Sequence, residues 1–327
     1  MMEQAPAKVA AVMSTLNEER YIDRALDAIE AQTHVPDIVV VDGGSRDGTI
    51  ARLLDRARTN PRIQIHADGV RRSLPAALNL ALEFTQCEFA AKVDARTFLA
   101  PDFLERALDV FEREGAQVAC AGGRPQQFGE SSFGNGVARA RMSRFGVGGS
   151  GYADTRERAD VDTVQCGVYR RSALLEVGGF DPALQFGEDE ELNWRLRAAG
   201  YRIVMDGGIR FRYVTRETWR AAFRQYRNYG RARARVVEKH PEFVRTRHLV
   251  PSAALLVGAG LLCASSVSRA ARVAAGTLAT AYVGGALIAA TSASRDNPKE
   301  IPHTASAFTA LHFGYAVGLL EGYIKQA

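Results

Sequence analysis

The segment FGEDEELNWRLRAAG (186–200) sets four carboxylates side by side, Glu188, Asp189, Glu190 and Glu191. Two readings account for them. A helix start favours acids, because its free N–H groups and macrodipole make that end positive. Alternatively, one of them is a catalytic base aimed into a cleft, where a positioned carboxylate takes a proton from an attacking group. Two further acids sit where a sheet would present a polar ligand: Asp42 follows DIVVV and Asp94 follows EFAAKV. Taken singly, Asp42 reads equally as a turn former within DGGSRDG, and Asp94 as a cap ahead of TFLAPDFL. Two strand-end carboxylates on one rim are harder to assign to turns alone.

The elements that would position these acids are legible from hydrophobic period. KVAAVMS (8–14), DIVVVD (37–42), RIQIH (62–66) and EFAAKVD (88–94) read as strands, DIVVVD being apolar enough to be buried on both faces. Between them, Ile22, Leu26 and Ile29, then Ile50, Leu53, Leu54 and Ala57, then Leu74, Leu78, Ala81 and Leu82 fall at helical spacing. Pro101 opens a helix carrying Leu104, Leu108 and Phe111. This alternation predicts an α/β fold with a mostly parallel, doubly wound sheet, whose ligands bind beyond the carboxyl ends of the strands.

Two glycine-rich stretches, AGGRPQQFGE (121–130) and RFGVGGSGY (144–152), match neither nucleotide-binding glycine fingerprint and read as loops lining the cleft. DTVQCGVYRR (162–171) is strand-like, and LLEVGGFD (174–181) reads as a helix ending at Gly178 and Gly179. In the acidic segment, Leu192, Leu196 and Ala199 define a buried helix face, Gly200 a C-terminal stop, and Asp189 or Glu188 the N-cap. Glu191 and Arg195, four residues apart, form a surface pair. Glu188 and Asp189 are then the acids whose direction the helix surface does not fix.

A chain of 327 residues, 46% apolar and 24% charged, can bury a globular core and suggests two domains. Cys87, Cys120, Cys166 and Cys263 are far apart, so neither a zinc site nor a disulfide framework is expected. The N-terminus lacks a basic stretch followed by a long apolar one, so no signal peptide is expected. Residues 210–247 hold eleven arginines and Lys239 against Glu217, Glu238 and Glu242, giving +9 locally in a chain of net charge +5. Such a block seeks anions. Within it Arg216, Arg220, Arg224, Arg227 and Arg231 form one helical stripe, and Trp219, Phe223, Tyr226 and Gly230 another. That pattern fits a helix lying in a membrane interface; a solvated charged face or a nucleic-acid helix would show the same arginines, but no nucleic-acid-binding motif accompanies them. Residues 249–268 and 273–294 are uncharged and long enough to span a bilayer, though rich in Ala, Gly and Ser, with a shorter third stretch at 307–320. A soluble helical hairpin is the alternative. Arg269 and Arg272 between the two long segments run against the positive-inside tendency of a simple hairpin, and leave a re-entrant or in-plane arrangement open.

VMSTLNEERYIDRALDAIEAQT, DIVVVDGGSRDGT, AAKVDARTFLAPDFLERAL, VGGFDPAL and FGEDEELNWRLRAAG, in that order, resemble the inverting family-2 glycosyltransferases of GT-A fold, in particular the bacterial succinoglycan-biosynthesis glucosyltransferase group. The resemblance covers roughly residues 8–250. It implies a GT-A catalytic domain over 1–215, a basic amphipathic interface helix region over 216–248, and a helical membrane-associated region over 249–327. It implies that Thr15, Asn17 and Glu18 lie beside the nucleotide and that Asp42 accepts a hydrogen bond from uracil. Asp94, the first acid of a D-x-D motif, would face the metal–diphosphate, and Asp189 would be the catalytic base with Glu188 beside it. Gln225, Arg227 and Arg231 would close over acceptor and diphosphate.

The implied partners are a UDP-sugar donor, a lipid-linked saccharide acceptor and membrane lipid, with no nucleic acid; the implied cofactor is Mg²⁺ or Mn²⁺. The implied location is the inner (plasma) membrane with the catalytic domain in the cytoplasm, and the implied pathway is bacterial exopolysaccharide synthesis. Alternatives are transfer to polyprenyl phosphate itself, or a nucleotide-sugar-binding protein without catalysis. Three positions depart from the family pattern. Ser14 stands where many members have proline, Gly43 where a second aspartate is commoner, and Arg96 where D-x-D has its second acid. A cation at 96 cannot ligate a metal; it could meet the diphosphate directly, or mark weak metal dependence.

Overall fold

In the computed structural model, which describes residues 8–147, 158–184 and 186–324, strands and helices alternate through the first third of the chain. Strands β1 (Val9–Thr15), β2 (Asp37–Asp42), β3 (Ile63–His66) and β4 (Phe89–Lys92) are separated by helices α1 (Ile22–Glu30), α2 (Thr49–Thr59) and α3 (Leu74–Glu83). All pairings among these strands are parallel, β1 lying between β2 and β4. The rest of the sheet differs from the mostly parallel expectation. After β5 (Thr97–Leu99) and α4 (Phe103–Glu114) come β6 (Val118–Phe128), α5 (Ser132–Met142), α6 (Arg144–Val147), β7 (Ala159–Asp160), β8 (Val168–Arg170), α7 (Arg171–Glu176), α8 (Glu188–Ala198) and β9 (Arg202–Val214). The sheet runs β3-β2-β1-β4-β8-β6-β9-β5, with β7 beside β9, and β4–β8, β6–β8, β5–β9 and β7–β9 are antiparallel. A hydrophobic run reports that a strand is buried, not which way its neighbour points, so this half was not readable from period alone.

Of DTVQCGVYRR only Val168–Arg170 is strand, and the helix expected over LLEVGG is α7, which ends at Glu176 before Gly178 and Gly179. The glycine-rich stretch 121–130 is mostly β6 rather than loop, and residues 148–152 of the second stretch lie outside the described residues.

The described residues fall into two compact units: 8–126 with 158–213, and 127–147 with 214–324. The core of the first joins Val9, Ala11, Met13, Ile38 and Val40 of the sheet to Ile22, Leu26 and Ile29 of α1 and to Phe103, Leu104 and Phe111 of α4.

The second unit contains α5, α6, α9 (Trp219–Lys239), α10 (Thr246–Ala264), α11 (Arg269–Ala293) and α12 (Ile301–Ile324). Its core brings Val137 and Ala140 of α5 to Ala222 and Tyr226 of α9 and Phe308 and Leu311 of α12. Residues 127–147 and 216–248 both belong to this second unit. Gly314, Gly318 and Gly322 recur every fourth residue along α12, which brings its backbone directly against α9. A β-carbon on Gly318 would collide with the carbonyl oxygen of Arg227, and one on Gly230 with that of Tyr315.

The stretch 307–320 thus lies within a helix whose Ala307, Phe308, Ala310 and Leu311 are buried in this core. Part of the aromatic and glycine stripe of α9 faces α12: Tyr226 is buried in this core and the Trp219 indole, itself exposed, donates to Thr309 Oγ1 at 3.0 Å. By contrast α11 is long and apolar enough to cross a membrane by length and composition, with a mean hydropathy of 1.6 over a window of which 11% is buried. Val273, Val283, Leu287 and Ile288 on α11, and Leu256, Val257 and Leu262 on α10, are exposed.

Candidate active site

Two loops at the carboxyl ends of β1 and β2 lock together. Asp42 is fully buried and its carboxylate accepts from Thr15 Oγ1 (3.2 Å), Gly44 N (2.8 Å), Ser45 N (2.7 Å) and Ser45 Oγ. A carboxylate offers about four lone-pair sites. Gly44 and Ser45 of its own turn and Thr15 of β1 supply these donors, so Asp42 ties the loop after β2 to the end of β1. Asn17 has φ 55, a left-handed conformation that asparagine tolerates better than most residues. Its N–H donates to Ser45 Oγ at 2.9 Å, and its Oδ1 accepts from Arg46 N at 2.8 Å. The Glu18 N–H donates to Thr49 Oγ1 at 2.9 Å. Thr15, Asn17 and Glu18 thus share one rim.

Arg96 joins that rim from the loop after β4. Its Nε donates to Glu18 Oε1 at 3.1 Å, and its guanidinium carbon lies 4.3 Å from the Tyr21 ring centroid. The other Glu18 oxygen is buried without a partner.

At the end of β4 stands a residue that the motif reading passed over. Side chains alternate along a strand, so Lys92 and Asp94 project to the same side. The Lys92 ammonium lies 3.3 Å from Asp94 Oδ1, 3.1 Å from Glu188 Oε1 and 2.9 Å from Asp189 Oδ2, with only 2% of its side chain exposed. Helix α8 delivers the last two acids. Gly187 adopts φ 77 immediately before it, so Glu188 and Asp189 occupy the first turn and neither is the N-cap. At the other end Gly200 N donates to Arg197 O and Tyr201 N to Leu196 O, each at 3.0 Å, closing the helix on a left-handed glycine. Glu191 takes a bidentate pair from Arg195 at 2.7 Å, but it is buried, not on the surface as its spacing suggested. Arg195 also donates to the carbonyl oxygens of Val177 and Gly179, anchoring the helix to the turn after α7. The acidic start therefore serves both readings: its acids suit a helix N-terminus, and two of them reach a buried lysine.

Desolvation raises Asp189 from its ordinary 3.8 to about 7; Glu188 and Asp94 push the same way, and Lys92 opposes them. Burial disfavours the Lys92 charge, but Asp189, Asp94 and Glu188 together hold it well above the ordinary lysine range. One Asp189 oxygen is bound to Lys92 and the other, Oδ1, is buried with no partner. A carboxylate raised toward neutrality, with one oxygen fixed and one unpartnered, has the form of a general base. Signals for Lys92 were present in the sequence: a lone cation in the apolar run FAAKV, two residues before a strand-end acid.

Among the described residues no group of three or more His, Cys, Asp and Glu is arranged to hold a metal ion. The space between Asp94, Glu188 and Asp189 is filled by the ammonium instead. Asp94, with 36% of its side chain exposed, fits a cation held by one carboxylate and completed by ligand oxygens and water, a common mode for Mg²⁺.

Gln225, Arg227 and Arg231 lie in the second unit on α9. Gln225 is buried and its amide donates to Tyr229 OH at 3.0 Å. Arg227 Nε and Arg231 Nε reach the Glu321 carboxylate of α12 at 2.8 and 2.7 Å. Both guanidinium groups are thereby engaged in holding α9 to α12.

The mixed α/β sheet carries acids at its strand ends, and the comparisons with known proteins give it a family. Residues 10–178 match the Glycosyl transferase family 2 model. The succinoglycan biosynthesis protein ExoA of Rhizobium meliloti is 31% identical over 259 residues, 77% of each chain. A dolichyl N-acetyl-alpha-D-glucosaminyl phosphate 3-beta-D-2,3-diacetamido-2,3-dideoxy-beta-D-glucuronosyltransferase of Methanococcus voltae is 25% identical over 71% of this chain and 74% of its own. In structure the chain resembles a Pyrobaculum calidifontis mannosyltransferase solved with GDP-Man and Mn²⁺ (TM-score 0.67, 18% identity, covering 99% of this chain and 89% of that one). It also resembles GalNAc-T7 solved with UDP, GalNAc and Mn²⁺ (TM-score 0.54, 16% identity, covering 72% of this chain and 48% of that one). The protein belongs to glycosyl transferase family 2 and is a glycosyltransferase of GT-A fold.

Proposed function

We propose that the chain transfers a sugar, with inversion, from a UDP-sugar to a lipid-linked saccharide at the cytoplasmic face of a bacterial inner membrane, in exopolysaccharide synthesis. The observation that carries the reading is Asp189, one oxygen held by Lys92 and the other buried without a hydrogen-bond partner. Asp189 Oδ1 takes the proton of the acceptor hydroxyl as that oxygen bonds to the anomeric carbon. The bond from that carbon to the diphosphate oxygen breaks on the opposite face, and its electron pair leaves with UDP. Base assistance of this kind contributes roughly 10²–10⁴-fold. Thr15, Asn17 and Glu18 border the nucleotide, with Asp42 shaping their loop. Asp94 is the residue that would hold a divalent cation, whose charge would offset that growing on the diphosphate. Arg96, tied to Glu18, steadies the rim rather than supplying a metal ligand.

The saccharide assignment is supported by the succinoglycan name of one relative, and the lipid-linked acceptor by the dolichyl sugar phosphate named for another. Membrane attachment is supported by the exposed apolar faces of α10 and α11. The test is a screen of UDP- and GDP-sugars with cell membranes as the acceptor source, followed by analysis of the anomeric configuration of the product. Inverted product from a UDP-sugar, extractable with lipid, is expected; transfer from GDP-sugars alone, or a retained configuration, removes the reading. Replacing Val283 and Ile288 by aspartate should release the protein from the membrane fraction, and unchanged fractionation would exclude α11 as its anchor.

A further inference from the structure

Lys92 is set among Asp94, Glu188 and Asp189, and the geometry gives it a task beyond neutralising them. We infer that Lys92 is a positioning residue for the base: its ammonium fixes Asp189 Oδ2, which turns Oδ1 toward the acceptor hydroxyl, and through Asp94 it ties that base to the donor-binding loop. The inference rests on the assignment of Asp189 as base and extends it.

Its grounds are geometric. At 2.9 Å the Lys92–Asp189 contact is a charge-assisted hydrogen bond, stronger and more directional than a neutral one. A lysine side chain is ordinarily flexible, but here the stem is enclosed and 2% exposed, so the ammonium has little freedom to wander. The strand holding it is central in the sheet, between β1 and β8, and the Lys92 N–H donates to Gly167 O at 3.0 Å. Asp189 arrives from a different element, on the first turn of α8. A fixed strand therefore sets the direction of a carboxylate whose second oxygen meets no protein donor. Cys166, next to that Gly167, has φ 57, a strained conformation for a residue with a side chain. Strain of this kind survives where the surroundings hold the backbone in place, which is what a precisely aimed lysine requires.

A residue that acts only by orienting Asp189 has nothing left to orient once Asp189 cannot accept a proton. The experiment is a double-mutant cycle on the full chain in native membranes, reading UDP release from an equimolar mixture of UDP-glucose, UDP-galactose and UDP-N-acetylglucosamine. Calorimetric UDP binding to the purified full chain checks that each variant is folded. Lys92→Met should lower turnover at least thirtyfold with UDP affinity kept within threefold. In an Asp189→Asn background the same change should lower turnover by less than a further threefold, because effects of groups that act as a unit do not add. Should Lys92→Met fail to bind UDP, Lys92→Arg takes its place in the cycle, keeping the charge while moving the donor; the same lack of additivity is expected. Losses that multiply in the double variant, or turnover of folded Lys92→Met within threefold of native, overturn the inference. Asp189→Asn at native turnover overturns instead the assignment of the base itself, so the two failures are distinct.

Discussion

In the first unit one ammonium meets three carboxylates; in the second, two guanidinium groups share one. The first cluster is buried at its cation, with Lys92 2% exposed, and carries an excess of negative charge. The second is open to water, with Arg227 and Arg231 at 38% and 35% exposure, and its excess is positive. Water screens the second and cannot reach the centre of the first. Breaking a buried ion pair costs on the order of 3–5 kcal/mol, whereas exposed pairs contribute about 0–1 kcal/mol. Uncompensated charge is thus retained where it shifts a carboxylate toward neutral pH, while the helix seam draws its strength from packing, with Glu321 as a supplement.

The largest expected effect breaks the first cluster. Asp189→Asn should reduce turnover at least a hundredfold, on the scale of general-base removal, with UDP affinity nearly unchanged; a steady-state assay beside calorimetric UDP binding measures both. Next comes acidity. The Asp189 carboxyl is raised to about 7, so it must lose its proton to act, and turnover should fall about tenfold for each pH unit below that value and level off above it. The sign for stability is opposite. A raised acid binds its proton more tightly when folded, so its contribution is fully present below its ordinary 3.8 and is lost as pH rises through about 7. Thermal melts across pH 4–8 on wild type and Asp189→Asn separate this contribution from the rest of the chain.

In the second unit the packing should matter more than the charges. Gly318→Val forces a side chain onto the Arg227 carbonyl and should destabilise by about 1–3 kcal/mol or more, read as a lower unfolding temperature. Glu321→Gln leaves Arg227 and Arg231 in water and should cost less than about 1 kcal/mol. A larger loss from Glu321→Gln than from Gly318→Val would reverse the contrast between the two regions.

The first strands and helices were readable because each writes its period into the chain: β2 begins and ends where DIVVVD does, and α1 and α3 carry their apolar residues on one face. The acids at 42, 94, 188 and 189 were readable as residue types in suggestive places. Period also marked the aromatic stripe of α9 as a face that must be covered. It could not say by what, and a lipid surface and a glycine-lined helix satisfy the same pattern; α12, more than seventy residues further on, covers the part that holds Tyr226 and Gly230.

What the amino-acid sequence determined by itself was the first four strands with the helices between them, the strand-end carboxylates and the positively charged helix, because these follow from local spacing and side-chain chemistry. Tertiary structure alone decided that Asp42 also accepts from Thr15 on the neighbouring strand, that the sheet reverses direction beyond β4, and that Lys92 lies between Asp94 and an aspartate 97 positions away. Such pairings depend on how distant segments fold onto one another, and no local period encodes the distance between an ammonium and a carboxylate.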